Sequence, residues 1–139
     1  EFIVITNQAG ISLDVLDEVE VDRIHENMKR ELFDMGVNIL DVYVCPDHWD
    51  SESPMRKPRP GMFHLASDQH RFRLDQVLYV GDDIRDCQAA AAAGCGMIFL
   101  SDGEEAENLP TTRYHRSVHR TLMAAVGVIG NHYELGARP

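Results

Sequence analysis

Short apolar runs alternate with longer amphipathic or polar stretches along most of the chain. Residues 3–6 (Ile-Val-Ile-Thr) form one compact apolar run, 39–44 a second, 77–80 a third and 97–100 a fourth. Continuous runs of four to six β-branched or aromatic residues are what strands buried on both faces look like. Between the first two, Ile24, Met28, Leu32 and Met35 recur every three or four residues, which predicts a helix over 17–35 with these four on its inner face. Gly36 follows where a left-handed C-cap belongs. Residues 46–60 are polar and punctuated by proline, a loop; 61–70 read as a short helix, with Pro60 at its start. The alanine-rich stretch 87–93 reads as another helix. Strand, helix, strand, loop, helix, strand, helix, strand predicts an α/β parallel sheet, Rossmann-like, with right-handed crossovers.

The tail is less regular. Tyr114, Val118, Leu122 and Ala125 fall at helical spacing, so 111–125 predicts an amphipathic helix packed on the core or on a partner. Residues 124–130 (Ala-Ala-Val-Gly-Val-Ile-Gly) offer a strand as the alternative. The expected organisation is a core over 1–101 and a helical tail over 102–139.

Charge and cysteines narrow the classes. The net charge is −10 in 139 residues, with no basic stripe, which argues against a nucleic-acid surface. No apolar run reaches the length of a membrane span and no leader pattern is visible, so no membrane partner is expected. Three cysteines, Cys45, Cys87 and Cys95, without paired spacing suit a reduced, cytoplasmic setting.

The chemistry concentrates at two strand ends and one loop. Val80-Gly81-Asp82-Asp83-Ile84-Arg85-Asp86 puts a carboxylate cluster at the carboxyl end of a strand, where open α/β sheets bind ligands. Crowded carboxylates repel unless a cation neutralises them, and oxygen-only ligation suits Mg²⁺. Thr6-Asn7-Gln8 ends the first strand, and Arg56-Lys57-Pro58 lies in the loop. Each has a plainer explanation. Asp83 and Asp86 suit the first turn of a helix for its macrodipole alone, and Lys57 taken singly is a solvated loop lysine. His115 and His119, one helical turn apart, are read as a solvated helix face rather than a metal pair.

Taken in order, Val4-Ile5-Thr6-Asn7-Gln8-Ala9-Gly10-Ile11, Arg56-Lys57-Pro58-Arg59-Pro60-Gly61 and Val80-Gly81-Asp82-Asp83 with Asp86 resemble motifs two, three and four of the haloacid dehalogenase (HAD) phosphatases. Within that superfamily they are most similar to the histidinol-phosphate and heptose-bisphosphate branch. The resemblance covers residues 2–101. It implies that Thr6 and Asn7 meet phosphate oxygens and that Lys57 sets a cation against the phosphate and the nucleophile. It further implies that Arg56 contacts substrate, and that Asp82, with Asp83 or Asp86, holds Mg²⁺. The partner implied is a small phosphorylated metabolite, a sugar phosphate.

Two departures stand out. The superfamily's first motif, an apolar strand ending in Asp-x-Asp that supplies nucleophile and general acid, is absent from these residues. Asp14, Asp17 and Asp41 do not follow a strand of that kind. The expectation is a domain truncated at its front, inactive as it stands, whose sheet lacks its central strand. The vacancy is filled by the rest of a longer enzyme, by a strand-donating partner or second copy, or by the tail. The alternative is a catalytically dead oligomeric binding or scaffold protein. The branch's structural zinc loop is also altered. Cys45 remains, but Asp47, Ser53 and Met55 stand at the other ligand positions, so zinc is not expected.

Overall fold

The computed structural model describes residues 1–103 and 105–134. The chain forms two compact units, Glu1–Arg71 and Phe72–Pro139.

In the first unit, β1 (Phe2–Asn7) and β2 (Ile39–Cys45) pair in parallel, Thr6 opposite Val44 and Asn7 opposite Cys45, with an irregularity between Phe2 and Ile3. Parallel neighbours need a crossover, and α1 (Glu18–Asp34) supplies it. Asp17 caps that helix by accepting from Val19 N at 2.8 Å, and Gly36, at φ +84°, ends it. The periodicity located α1 but misjudged its face. Val21 is buried and Met28 and Leu32 are half-buried, whereas Ile24 and Met35 are 56% and 69% exposed. A 17-residue helix resting on a two-stranded sheet covers little area, and the 21, 28, 32 row wins it. From α2 (Gly61–His70), Met62, Phe63 and Ala66 pack against β1 and β2 around Ile5, Tyr43 and Cys45.

In the second unit β3 (Leu78–Gly81), β4 (Gly96–Leu100) and β5 (Arg116–His119) form an all-parallel sheet with β4 in the middle. With a strand on each side and α3 (Ile84–Ala93) packed on it, β4 buries Met97, Ile98 and Phe99 almost completely. The run at 97–100 is therefore the buried strand its sequence suggests.

The tail departs from both sequence readings. The expected helix at 111–125 contains β5, and the candidate strand at 124–130 lies inside α4 (Leu122–His132). The edge of β4 decides this: Met97 N donates to His115 O at 2.8 Å and Ser101 N to His119 O at 2.9 Å, pairing groups that a helix there would leave unsatisfied. Thr121 then caps α4 through Ala124 N at 3.2 Å. His115 and His119 accordingly share a strand face, both ring Nε2 atoms within 3.1 Å of Ser117 Oγ. Part of the acidic 102–107 stretch and residues 135–139 lie outside the described residues.

The fold is the α/β, parallel-sheet class expected, with four helices among the described residues. Among those residues β1 pairs with β2 alone and β3 with β4 alone. Among the described residues no helix is long and apolar enough to cross a membrane.

Candidate functional site

The first unit presents Lys57 from beneath the end of β1. Lys57 is 8% exposed, and its Nζ donates to Ile5 O at 2.9 Å. Its backbone is clamped from both sides by one amide. Asn7 Nδ2 donates to Lys57 O at 3.1 Å, and Lys57 N donates to Asn7 Oδ1 at 3.1 Å. Burying an ammonium is expensive without fixed acceptors, so a lysine held this way is a built feature and not a solvated one. Thr6 is half-buried; its Oγ1 accepts from Gln8 Nε2 at 3.1 Å, which leaves the hydroxyl proton to donate.

The loop before Lys57 closes on itself. Arg56 Nη1 donates to Asp47 O at 3.0 Å. Ser53 gathers three donors: Met55 N on Oγ at 3.2 Å, and Arg56 N and Arg59 Nη1 on its carbonyl at 3.3 Å each. Gly61 N donates to Pro54 O at 2.9 Å, and a side chain at Gly61 would put a Cβ 2.4 Å from that oxygen. His48 and the exposed Trp49 stack with ring centres 3.9 Å apart.

The donor set at the former zinc positions does not fit the metal. A structural zinc wants four thiolate or imidazole ligands. Cys45 is fully buried and its Sγ donates to Asp47 Oδ2 at 3.5 Å. Ser53 and Met55 supply no thiolate.

In the second unit the β3–α3 turn divides its carboxylates. Asp83 caps α3: Oδ1 accepts from Arg85 N at 2.8 Å and from Arg85 Nε at 2.9 Å, while Oδ2 meets Arg85 Nη2 at 2.5 Å. That pairing raises the Arg85 pKa. Asp86, 7% exposed, completes the capping box by accepting from Asp83 N at 3.3 Å. These two carboxylates do what the helix-start explanation asks of them. Asp82 stands outside that pairing and is exposed. Gly81 is required by the turn, since a Cβ there would lie 2.5 Å from Asp86 Cβ and Oδ2.

Among the described residues no three His, Cys, Asp or Glu side chains are grouped to hold a metal. An oxygen donor at a strand end still fits Mg²⁺, which keeps several waters and is often bound by one or two carboxylates. Asp82 is the exposed carboxylate directly after β3.

Three pieces of this geometry are invisible in the sequence: the Asn7–Lys57 clamp, which spans 50 positions, the Ser53 hub, and the Asp86–Gly81 contact. The glycine directly before the acidic pair was the one local signal for the last.

The chain has likenesses to known proteins in sequence and in fold. Residues 54–123 match the HAD-hydrolase-like family. The D-glycero-beta-D-manno-heptose-1,7-bisphosphate 7-phosphatase of Bordetella bronchiseptica is 36% identical over 104 residues, 75% of this chain and 58% of that protein. The D-glycero-alpha-D-manno-heptose-1,7-bisphosphate 7-phosphatase of Burkholderia mallei is 39% identical over 118 residues, 78% of this chain and 61% of that protein. The crystal structure of D,D-heptose 1.7-bisphosphate phosphatase from B. bronchiseptica, complexed with magnesium and phosphate, superposes with a TM-score of 0.80 at 31% identity. That match covers 93% of this chain and 73% of that one. The chain belongs to the HAD-like hydrolase family. It spans about three-fifths of the length of the two curated relatives, 58% and 61%. The HAD-like match over 54–123 takes in Arg56, Lys57, Asp82, Asp83 and Asp86 and does not take in Thr6 or Asn7.

Proposed function

We propose that this chain carries the phosphate- and cation-binding part of a Mg²⁺-dependent HAD phosphatase acting on a sugar phosphate, with a heptose bisphosphate as the first substrate to try. The observation that carries the reading is Lys57, a buried ammonium aimed by Ile5 O and Asn7 at the carboxyl end of β1. A cation fixed there offsets charge as it builds on a transferring phosphoryl group. Thr6 donates its hydroxyl to a phosphate oxygen. Asn7, whose amide is engaged with the Lys57 backbone, acts first by holding that lysine. Arg56 faces the substrate's oxygens with the part of its guanidinium that Asp47 does not take. Asp82, in the second unit, is the residue that would hold Mg²⁺, whose chemistry there would be charge neutralisation; Asp83 and Asp86 shape the turn that presents Asp82.

The attacking carboxylate is not among the residues in hand. The sequence contains no Asp-x-Asp, and the three aspartates considered for the part are accounted for otherwise. Asp14 sits in a turn at φ +53° and Asp17 caps α1. Asp41 meets His70 Nε2 at 3.2 Å and accepts from Val42 N at 2.9 Å. The 139 residues alone are therefore expected to bind without turning over. The test is phosphate release from heptose bisphosphate and a panel of sugar phosphates with Mg²⁺. It compares this chain with a form extended by its upstream coding sequence. Turnover in the extended form alone supports the reading; turnover by the 139 residues that disappears in Asp82→Asn overturns it.

A second reading, an inactive oligomeric binding or scaffold protein, draws on α4. Leu122, Met123 and Val126 are 54%, 80% and 53% exposed there, and β1 and β3 each pair on one side among the described residues. Such features suit a second copy or a strand donor. Silence in both forms, with a folded assembly larger than one chain by light scattering, favours it.

A further inference from the structure

We propose that Arg56 is a positioning residue. Its guanidinium closes the 46–60 loop across Asp47 O and, with Ser53 as the hub, a hydrogen-bonded clasp sets Lys57 without any metal ion in the loop. The inference rests on the reading above only in giving Lys57 a phosphate to meet.

The loop has two arms to join. One leaves β2 at Cys45 and runs through Asp47; the other returns through Ser53 and Arg56 to Lys57 and α2. One tie joins them and two more shape the returning arm. Arg56 Nη1 reaches Asp47 O at 3.0 Å across nine residues, the longest-range tie within the loop. Ser53 receives Met55 N, Arg56 N and Arg59 Nη1, which folds the returning arm into a compact turn. Gly61 N on Pro54 O then fixes that turn to the start of α2. The Asn7 amide takes over at the next residue, so Arg56 and Asn7 hold adjacent backbone units of one strand of loop. Charge-assisted bonds from a guanidinium to a carbonyl are stronger than neutral ones, which suits Arg56 to span the gap.

The chemistry of the donors points the same way. The Cys45 thiol is buried and hydrogen-bonded to Asp47, and a hydroxyl and a thioether stand at the two later positions. What a metal ion does in a cross-linked loop, joining two arms at a point, is done here by Arg56 on Asp47 O, with Ser53 folding the returning arm.

The experiment is backbone hydrogen exchange by NMR on the unliganded chain, with Arg56→Ala, Arg56→Lys and the milder Ser53→Ala, beside titration with inorganic phosphate. In Arg56→Ala the amides of residues 55–57, 59 and 61 are expected to exchange roughly three- to tenfold faster, as loss of one such bond implies, with α3 unchanged. Arg56→Lys restores part of the protection, because an ammonium still donates to Asp47 O. Ser53→Ala speeds the Met55 amide first. Phosphate affinity falls in Arg56→Ala and recovers in part in Arg56→Lys. EDTA leaves the wild-type melting temperature and exchange pattern unchanged, and metal analysis finds no stoichiometric zinc.

Unchanged exchange at these amides in Arg56→Ala would overturn the clasp, and lost phosphate binding beside it would leave Arg56 its substrate contact alone. Stoichiometric zinc whose removal by EDTA loosens residues 55–61 would overturn it as well. Absence of phosphate binding by the wild-type chain would count against the proposed function instead, since the exchange comparison needs no ligand.

Discussion

The two sheets solve the same problem with unequal means. In the second unit β4 has a strand on each side, and Met97, Ile98 and Phe99 are at most 1% exposed. In the first unit β1 has one partner among the described residues, and of its six residues only Ile5 is buried. A strand's apolar run becomes core only when its neighbours cover it, so similar sequences yield a dense layer in one unit and a half-covered one in the other. The first unit compensates with polar structure. Its most constrained group is Lys57, held by Asn7 and Ile5, whereas the second unit's catalytic candidate, Asp82, is an exposed carboxylate on a turn built by its neighbours. The first unit stiffens its candidate residue by hydrogen bonds over a thin core, the second by packing behind a capped helix.

The sharpest way to break this contrast is to remove equal side chains from the two units. Phe99→Ala empties a fully buried position in β4 and is expected to destabilise the second unit by about 3–5 kcal/mol. Phe33→Ala removes a ring that is 68% exposed on α1 and is expected to change stability by no more than about 0.5 kcal/mol. Urea denaturation followed by circular dichroism distinguishes them; similar losses would show that α1 is covered in solution.

Next in size come the turn and the clamp. Gly81→Ala forces a Cβ against Asp86 and is expected to cost about 1–3 kcal/mol, read in the same denaturation experiment. Asn7→Ala leaves the Lys57 N–H and C=O without their partners, a cost of about 1–3 kcal/mol, with weaker phosphate binding by calorimetry. If Asn7→Ala were silent while Gly81→Ala was severe, polar stiffening of the first unit would be refuted.

Smaller effects refine the picture of the second unit. Gly127 lies within α4 with nothing within 4 Å of an added Cβ, so Gly127→Ala is expected to stabilise by about 0.5–1 kcal/mol. A loss instead would mean that another surface closes on α4 there.

Titration gives opposite signs at the two ends of the pH scale. Burial pushes the Cys87 thiol up to about 12, helped by Asp86 and Asp83, and burial alone pushes Cys95 up to about 12. Their stabilising share is complete below the unfolded thiol range and is lost as pH climbs toward 12. Burial, then His132 and His119, lower the His115 pKa, so its share is present above the ordinary histidine range and is lost on acidification. Melting temperature against pH should fall at both ends, and thiol-reactive dye should reach Cys87 and Cys95 only on unfolding.

How much of this was legible in the sequence depends on how local the deciding interaction is. The β3 and β4 strands, the Gly36 helix end and the acidic turn at 82–86 are local patterns, and they appear where the sequence puts them. The tail was not legible, because Tyr114, Val118, Leu122 and Ala125 imitate a helix while the unpaired edge of β4, set by distant residues, claims 116–119 as a strand. The inner face of α1 failed for a related reason: several rows on it are apolar, and the narrow sheet beneath chooses one. At the site, residue types were readable but their division of labour was not. Asp82, Asp83 and Asp86 look equivalent as letters, and only the Arg85 pairing and the capping box separate the turn builders from the exposed carboxylate.

The central claim is that these residues bind phosphate at Lys57 and a divalent cation at Asp82 without containing the group that attacks phosphorus. The most direct measurement is an NMR titration of the chain with Mg²⁺ and heptose bisphosphate, with inorganic phosphate release followed in the same tube. The account expects resonances of Thr6, Asn7, Lys57 and Asp82 to shift while no phosphate appears. Release of phosphate by the 139 residues, abolished in Asp82→Asn, would contradict it.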